Sequence, residues 1–189
     1  KFDRRPIELN QKKVVIVGFG GNGKMIAEKL LAFKMNVSAV NDTKKKTPRK
    51  IDFFLTKNIK KGIKNKDVII ISTPLTKNTK GLINKNILRL LARGAIVINV
   101  SRSLCLNLND LIFFLKNKHL GGAGLDVVEG EPIQKNHQLL RFKNVIVTPH
   151  TGGISDNFYN RNLDFILENI KKFIKSKKLS NLVDINKGY

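Results

Sequence analysis

Residues 14–24 read VVIVGFGGNGK, a run of four β-branched residues, Val14 to Val17, that meets Gly18, Gly20, Gly21 and Gly23 almost without interruption. A continuous apolar run bounded by glycine fits a strand buried on both faces. The six residues from Gly18 to Gly23 then satisfy the G-x-G-x-x-G spacing that joins such a strand to a helix. Each glycine has a physical task there. Gly18 permits the tight turn, Gly20 lets the backbone approach a pyrophosphate, and Gly23 lets the helix pack closely on the strand. The N–H groups of Gly21 and Asn22 face an anion at the positive end of the helix dipole. By itself the stretch implies a bound dinucleotide and leaves the chemistry open.

The rest of the chain repeats this alternation of apolar strand and amphipathic helix. Strands are expected at 13–18, 36–40, 67–72, 95–100, 121–126 and 144–147, and helices at 22–33, 58–65, 84–92, 107–117 and about 155–177. The last helix carries Phe158, Leu163, Phe165, Ile166, Ile170, Phe173 and Ile174 at near-helical spacing. The polar segment DTKKKTPRK at 42–50, broken by Pro48, reads as a loop. Such alternation predicts an α/β chain, a Rossmann-type doubly wound parallel sheet with helices on both faces. The expected division is a dinucleotide-binding domain over 1–153, followed by a long helix and tail over 154–189.

Composition narrows the class. At 189 residues and 41% hydrophobic, the chain can bury one substantial core, whereas a two-domain enzyme would be cramped. A single cysteine, Cys105, excludes an internal disulfide framework and makes a reducing, cytoplasmic compartment the default. Cys105 itself reads as a small packing residue. No apolar run approaches the ~18 residues needed to span a membrane, and KFDRRPIELNQKK at the start lacks the apolar core of a signal peptide. No metal site is expected. The net charge of +22 brings nucleic acid to mind. The lysines, however, are spread through KKK at 44–46, IKKGIKNK at 59–66 and IKKFIKSKK at 170–178, where solvent-facing positions are expected. There is no Trp, and Phe residues fall in core-like stretches such as DFFL and LIFFL, so a nucleic-acid groove is not expected.

Cofactor choice turns on the end of the second strand. A dinucleotide site usually places an acidic residue there, roughly 20 positions on, to accept hydrogen bonds from the adenosine ribose. Here Asn41 occupies that place and Asp42 follows. A carboxylate would repel the 2′-phosphate of NADP, whereas Asn41 would not, and Lys44, Lys45 and Lys46 lie close in sequence. NAD is the expected cofactor, with NADP also possible.

Four further motifs follow one another: STPLTKNTKGLI at 72–83, INVSRS at 98–103, GAGLDVVEGEP at 122–132 and NVIVTPHTGG at 144–153. In order and spacing the chain resembles the D-isomer-specific 2-hydroxyacid dehydrogenases, over essentially its whole length. The resemblance implies hydride transfer between NAD(P)H and a small 2-oxo or 2-hydroxy acid, and a homodimer. It places the catalytic arginine at Arg102, the carboxylate at Glu131 and the catalytic histidine at His150. The chemistry asks for these types: a guanidinium forks the substrate carboxylate and polarises the ketone, and an imidazole titrating near neutrality exchanges the proton. Glu131 is expected to hydrogen-bond that imidazole and favour its protonated form. The resemblance also assigns Thr73 and Pro74 to the adenosine side, Val100, Ser101 and Arg102 to the nicotinamide side, and Asp126 to the carboxamide. His150, Gly152 and Gly153 complete the cofactor set. A dinucleotide-sensing interaction module without turnover, like the family's corepressor relatives, is the alternative.

The chain also departs from the family pattern. Ser103 stands where a glycine is usual, restricting the backbone, while Asn107 can still cap the following helix. Lys34 replaces another glycine at a turn, at some cost if φ is positive there. Family members have a second domain, mostly ahead of the glycine turn, that closes over the substrate. The thirteen residues before Val14 cannot form it, so the chain is expected to be the cofactor-binding portion of a longer enzyme or a truncated reading frame, with weak or absent turnover alone.

Overall fold

The computed structural model describes residues 6–48, 50–185 and 188. Residues 1–5, Arg49 of the polar loop, and Asn186, Lys187 and Tyr189 of the tail lie outside them. The chain divides into two compact units, Lys1–Pro149 and His150–Tyr189.

In the first unit β1 (Lys13–Val17), β2 (Asn36–Asn41), β3 (Asp52–Leu55), β4 (Val68–Ile71), β5 (Ala95–Asn99), β6 (Leu120–Leu125) and β7 (Val145–Val147) form one sheet. Its order is β3-β2-β1-β4-β5-β6-β7 and its pairings are parallel. The chain thus starts mid-sheet, winds to one edge, crosses back and winds to the other. Period-two alternation along β1 splits the core into two. Val14 and Ile16 join Phe19, Ala27 and Met35 on the face covered by α1 (Gly21–Ala32). Val15 and Val17 join Ile63, Leu88 and Leu111 on the opposite face, under α2 (Ile59–Ile63), α3 (Lys85–Leu88) and α4 (Leu108–Lys116). Each fully buried aliphatic side chain contributes about 1.5–3 kcal/mol relative to exposure.

Two expectations need correction. Strand β3 was not anticipated, because DFFL has no alternation: exposed Asp52 is followed by three half-buried residues. Among the described residues it is an edge strand paired with β2, in the register Ser38↔Asp52 to Asn41↔Leu55. Its place depends on that distant pairing, not on local pattern. The helix expected at 84–92 shortens to Lys85–Leu88. The residues beyond it bond outside the helix: the Leu90 carbonyl accepts Asn65 N–H at 2.9 Å, and Ala92 N–H donates to the Lys66 carbonyl at 3.0 Å.

The second unit holds α5 (Phe158–Ile174). Asn169 Oδ1 accepts Ser180 N–H at 2.8 Å and Lys172 Nζ donates to Ser180 Oγ at 2.6 Å, folding the tail back on the helix. Among the described residues no helix is long and apolar enough to cross a membrane.

Candidate active site

Because the strands are parallel, their carboxyl ends share one edge, and between β1 and β4 the winding reverses. Open α/β sheets bind ligands at such a point. The glycine turn leaves β1 there. Gly18 has φ +96°, and a Cβ on it would lie 2.5 Å from the Ser72 carbonyl oxygen, which no side chain tolerates. A Cβ on Gly23 would lie 2.2 Å from the Gly18 oxygen, so α1 sits directly on the turn. Around Gly20 and Gly21, by contrast, a Cβ would meet nothing within 4 Å. The first turn of α1 has no side-chain cap, which leaves its N–H groups for an anion. A pyrophosphate fits this cradle.

Asn41 ends β2 with its amide engaged inside the chain. Oδ1 accepts Phe19 N–H at 2.9 Å, and Nδ2 donates to the Thr43 carbonyl at 3.0 Å. The residue therefore ties the glycine turn to β2 and shapes the loop that follows. Asp42, Lys44, Lys45 and Lys46 are exposed beyond it.

Thr73, buried, and Pro74, exposed, leave β4 beside the turn. Buried Thr79 braces them, its hydroxyl donating to the Pro74 carbonyl at 2.6 Å while accepting Thr76 N–H at 2.7 Å. Cys105 is fully buried with Sγ 3.8 Å from the Thr73 and Pro74 oxygens. Burial pushes its thiol pKa up, against hydrogen bonds with Thr79 and Ser101 and the charge of Arg102. An enclosed neutral thiol is a packing group.

Beyond β5, Val100 and Arg102 are exposed at the edge and Ser101 is half-buried. Arg102 has extended backbone, φ −138° and ψ 137°, and its Nη1 donates to the Ser101 carbonyl at 2.8 Å. Ser103 opens a 3-10 turn, Ser103–Cys105, and is absent from the positive-φ residues, so glycine's freedom is not needed there and the expected restriction has no cost. Asn107 Oδ1 accepts Asp110 N–H at 3.0 Å and caps α4, as anticipated.

Asp126 follows β6. Its N–H donates to the Asn99 carbonyl at 3.0 Å, and its Oδ1 accepts the Thr148 hydroxyl at 2.6 Å. Glu131 Oε1 accepts Val128 N–H. Glu131 also lines a cavity of about 460 Å³ whose walls include Val128, Pro132, Ile133, Leu140 and Val147. His150 opens the second unit with φ +56°, a left-handed conformation that histidine adopts more readily than most residues. Gly152 and Gly153 are exposed in the turn after it.

The structure thus gathers the glycine turn, Asn41, Thr73, Pro74, the Val100–Arg102 loop and Asp126 along one edge of the first unit. His150, Gly152 and Gly153 stand at the head of the second. Sequence reasoning missed Thr79, Thr148 and Asn99, the supports behind those residues. The available signal was polar type in an apolar setting, such as the asparagine closing AIVIN.

A sheet of this order, with a glycine turn at its switch point and an open helix N-terminus, defines a Rossmann-type dinucleotide-binding domain. The particular family follows from comparison. Residues 1–152 match the D-isomer specific 2-hydroxyacid dehydrogenase NAD binding domain, and the chain belongs to that family. It is 32% identical over 177 residues to a glyoxylate reductase of Pyrococcus furiosus, covering 94% of the chain and 52% of that protein. It is 30% identical over 179 residues to a hydroxypyruvate reductase of Blautia hydrogenotrophica, covering 95% and 55%. The chain spans about half the length of these relatives. Among solved structures, a D-isomer specific 2-hydroxyacid dehydrogenase of Xanthobacter autotrophicus Py2, in complex with NADPH and MES, superposes with TM-score 0.91 at 29% identity, over 100% of this chain and 77% of that one. An NADPH-dependent glyoxylate/hydroxypyruvate reductase of Sinorhizobium meliloti, in complex with NADP and sulfate, gives 0.90 at 26%, over 100% and 60%.

Proposed function

We propose that the protein binds NAD(P)H at the glycine turn and serves the reduction of small 2-oxo acids to D-2-hydroxy acids. The observation that carries this reading is the shared edge: the pyrophosphate cradle after β1 and the Arg102 loop after β5 leave the same side of one parallel sheet. NAD(P)H supplies the hydride when bound. Arg102 offers the planar fork for the substrate carboxylate and polarises the ketone. His150 gives a proton to the developing alkoxide in reduction and takes it back in oxidation. Glu131 is the carboxylate that favours the protonated imidazole. Asp126, steadied by the Thr148 hydroxyl, receives the carboxamide.

NAD remains the proposed cofactor, with NADP admitted. Since Asn41 uses its amide within the chain, the ribose contact passes to Asp42, and a 2′-phosphate would be met by Lys44, Lys45 and Lys46. A cytoplasmic homodimer completes the reading.

Titration with NADH and NADPH, followed by their fluorescence, tests the site on this chain: saturable binding of at least one is expected. Binding of neither would sink the proposal. With glyoxylate as substrate for the protein that carries this chain, His150→Gln should lower kcat about 10²–10⁴-fold while cofactor affinity is retained. An unaffected rate removes His150 from the reaction. Cofactor binding without turnover of any 2-oxo acid would favour the dinucleotide-sensing module.

A further inference from the structure

Behind the Arg102 loop lies a buried polar residue. Asn99 closes β5 and is 1% exposed. A buried amide costs several kcal/mol unless it is paired, and here both ends are. Oδ1 accepts the Ser101 N–H and the Ser101 hydroxyl, each at 3.1 Å, and Nδ2 donates to the Arg102 carbonyl at 3.1 Å. The main chain of Asn99 adds a fourth tie, since its carbonyl accepts Asp126 N–H at 3.0 Å. One residue at the centre of the carboxyl edge thus holds both the loop that carries the guanidinium and the backbone of the aspartate beside it. An apolar residue could fill the same space in β5, but it could not bond the loop. Arg102 needs such support because its own side chain is exposed and bonds to the carbonyl of the neighbouring Ser101.

We infer that Asn99 is a positioning residue: through its amide it sets the Ser101–Arg102 backbone so that the guanidinium meets the substrate carboxylate. The inference rests on the reductase reading above. It predicts where damage will appear. Misplacing a binding group by about 1 Å costs on the order of 10²-fold in rate. That loss should fall mainly on the 2-oxo acid, because the dinucleotide is anchored chiefly through its pyrophosphate at another strand and meets the Ser101–Arg102 loop only at its nicotinamide end.

Asn99→Asp keeps the acceptor for Ser101 and loses the donor to Arg102, whereas Asn99→Ala loses both. With glyoxylate as substrate for the protein that carries this chain, both should raise KM at least tenfold, with a smaller fall in kcat and NAD(P)H affinity within about threefold of the parent. The same substitutions in an Arg102→Ala background should have little further effect, because the group they position is gone. Equal losses in both backgrounds, or an unchanged KM, would overturn the assignment, and so would loss of NAD(P)H binding alongside KM, which marks a merely structural role. If the parent protein binds NAD(P)H but neither reduces glyoxylate nor binds oxamate in its place, the reductase reading falls, and the role of Asn99 falls with it. If the parent turns over and the Asn99 variants match it, only the role of Asn99 falls.

Discussion

Lys66 shows how one residue can set a pH dependence. Its Nζ donates to the hydroxyl of Ser38 at 2.6 Å, and Ser38 is 1% exposed within β2. Burial holds the ammonium pKa below its ordinary 10.5; Asp52 pulls it back up, Lys13 lowers it further, and Asp67 again raises it. Because the folded value lies below the unfolded one, the unfolded chain binds more protons between the two. Stability from this group is therefore complete above the unfolded pKa, rises with pH across that interval, and is lost as pH falls through the folded value. Urea denaturation of the parent and of Lys66→Met should show the parent gaining relative to the variant as pH rises through the alkaline range. A difference that stays flat there would show that burial of Lys66 carries no penalty. Residues of this kind mark the limit of reading a sequence. Gly18 and Gly23 are legible because their demand is local, a positive φ in one case and a helix resting on a turn in the other. Ser38 with Lys66, or Asn41 with Phe19, become partners only when distant strands align.

At the scale of the element, three helices, α1, α4 and α5, end alike. After α1, Lys34 has φ +56°, with Lys34 N–H on the Leu31 carbonyl and Met35 N–H on the Leu30 carbonyl. After α4, Lys118 has φ +53°, with Lys118 N–H on Leu115 and His119 N–H on Phe114. α5 closes through Ser176 at φ +50°, by Ser176 N–H on Phe173 and Lys177 N–H on Lys172. Each is a Schellman closure, which favours glycine at its left-handed position. The positive φ that would make Lys34 costly is therefore present. Lys34→Gly and Lys118→Gly should each stabilise the protein by about 0.5–1 kcal/mol, since release of left-handed strain exceeds the few tenths lost from a cation at a helix C-terminus. The two helices cover opposite faces of the sheet, so the gains should add. Chemical denaturation of the single and double variants checks this, and a destabilised single variant would refute it. Helix ends were thus partly legible, Asn107 as a cap and Lys34 as a strained turn. Edge strand β3 was not, since four residues after a lysine-rich loop carry too little pattern without β2 beside them.

For the whole molecule, the distribution of the core matters most. Every buried hydrophobic residue described lies between Val14 and Leu139, and α5 has none. A chain ending at Pro149 should therefore unfold cooperatively, with the circular dichroism of an α/β protein, and should still bind NAD(P)H through the glycine turn. Loss of cooperative unfolding on this cut would show that the second unit is part of the fold's stability. The same distribution explains why the class of fold was readable: near-continuous Val and Ile in β1, β4 and β5 is what two covered faces require.

What the sequence determined by itself is local in origin: the strand–turn–helix of the glycine stretch, the alternation that makes a parallel sheet, and residue types suited to holding a carboxylate or moving a proton. What only the tertiary structure decided is which groups support them. Asn99 beneath the Arg102 loop, Thr79 beneath Pro74, Thr148 against Asp126 and Asn41 across the glycine turn are hydrogen bonds between chain segments or around a returning loop. Such bonds have no period and no composition. They exist because a buried polar group must find a partner, and strand order and register decide which partner is within reach.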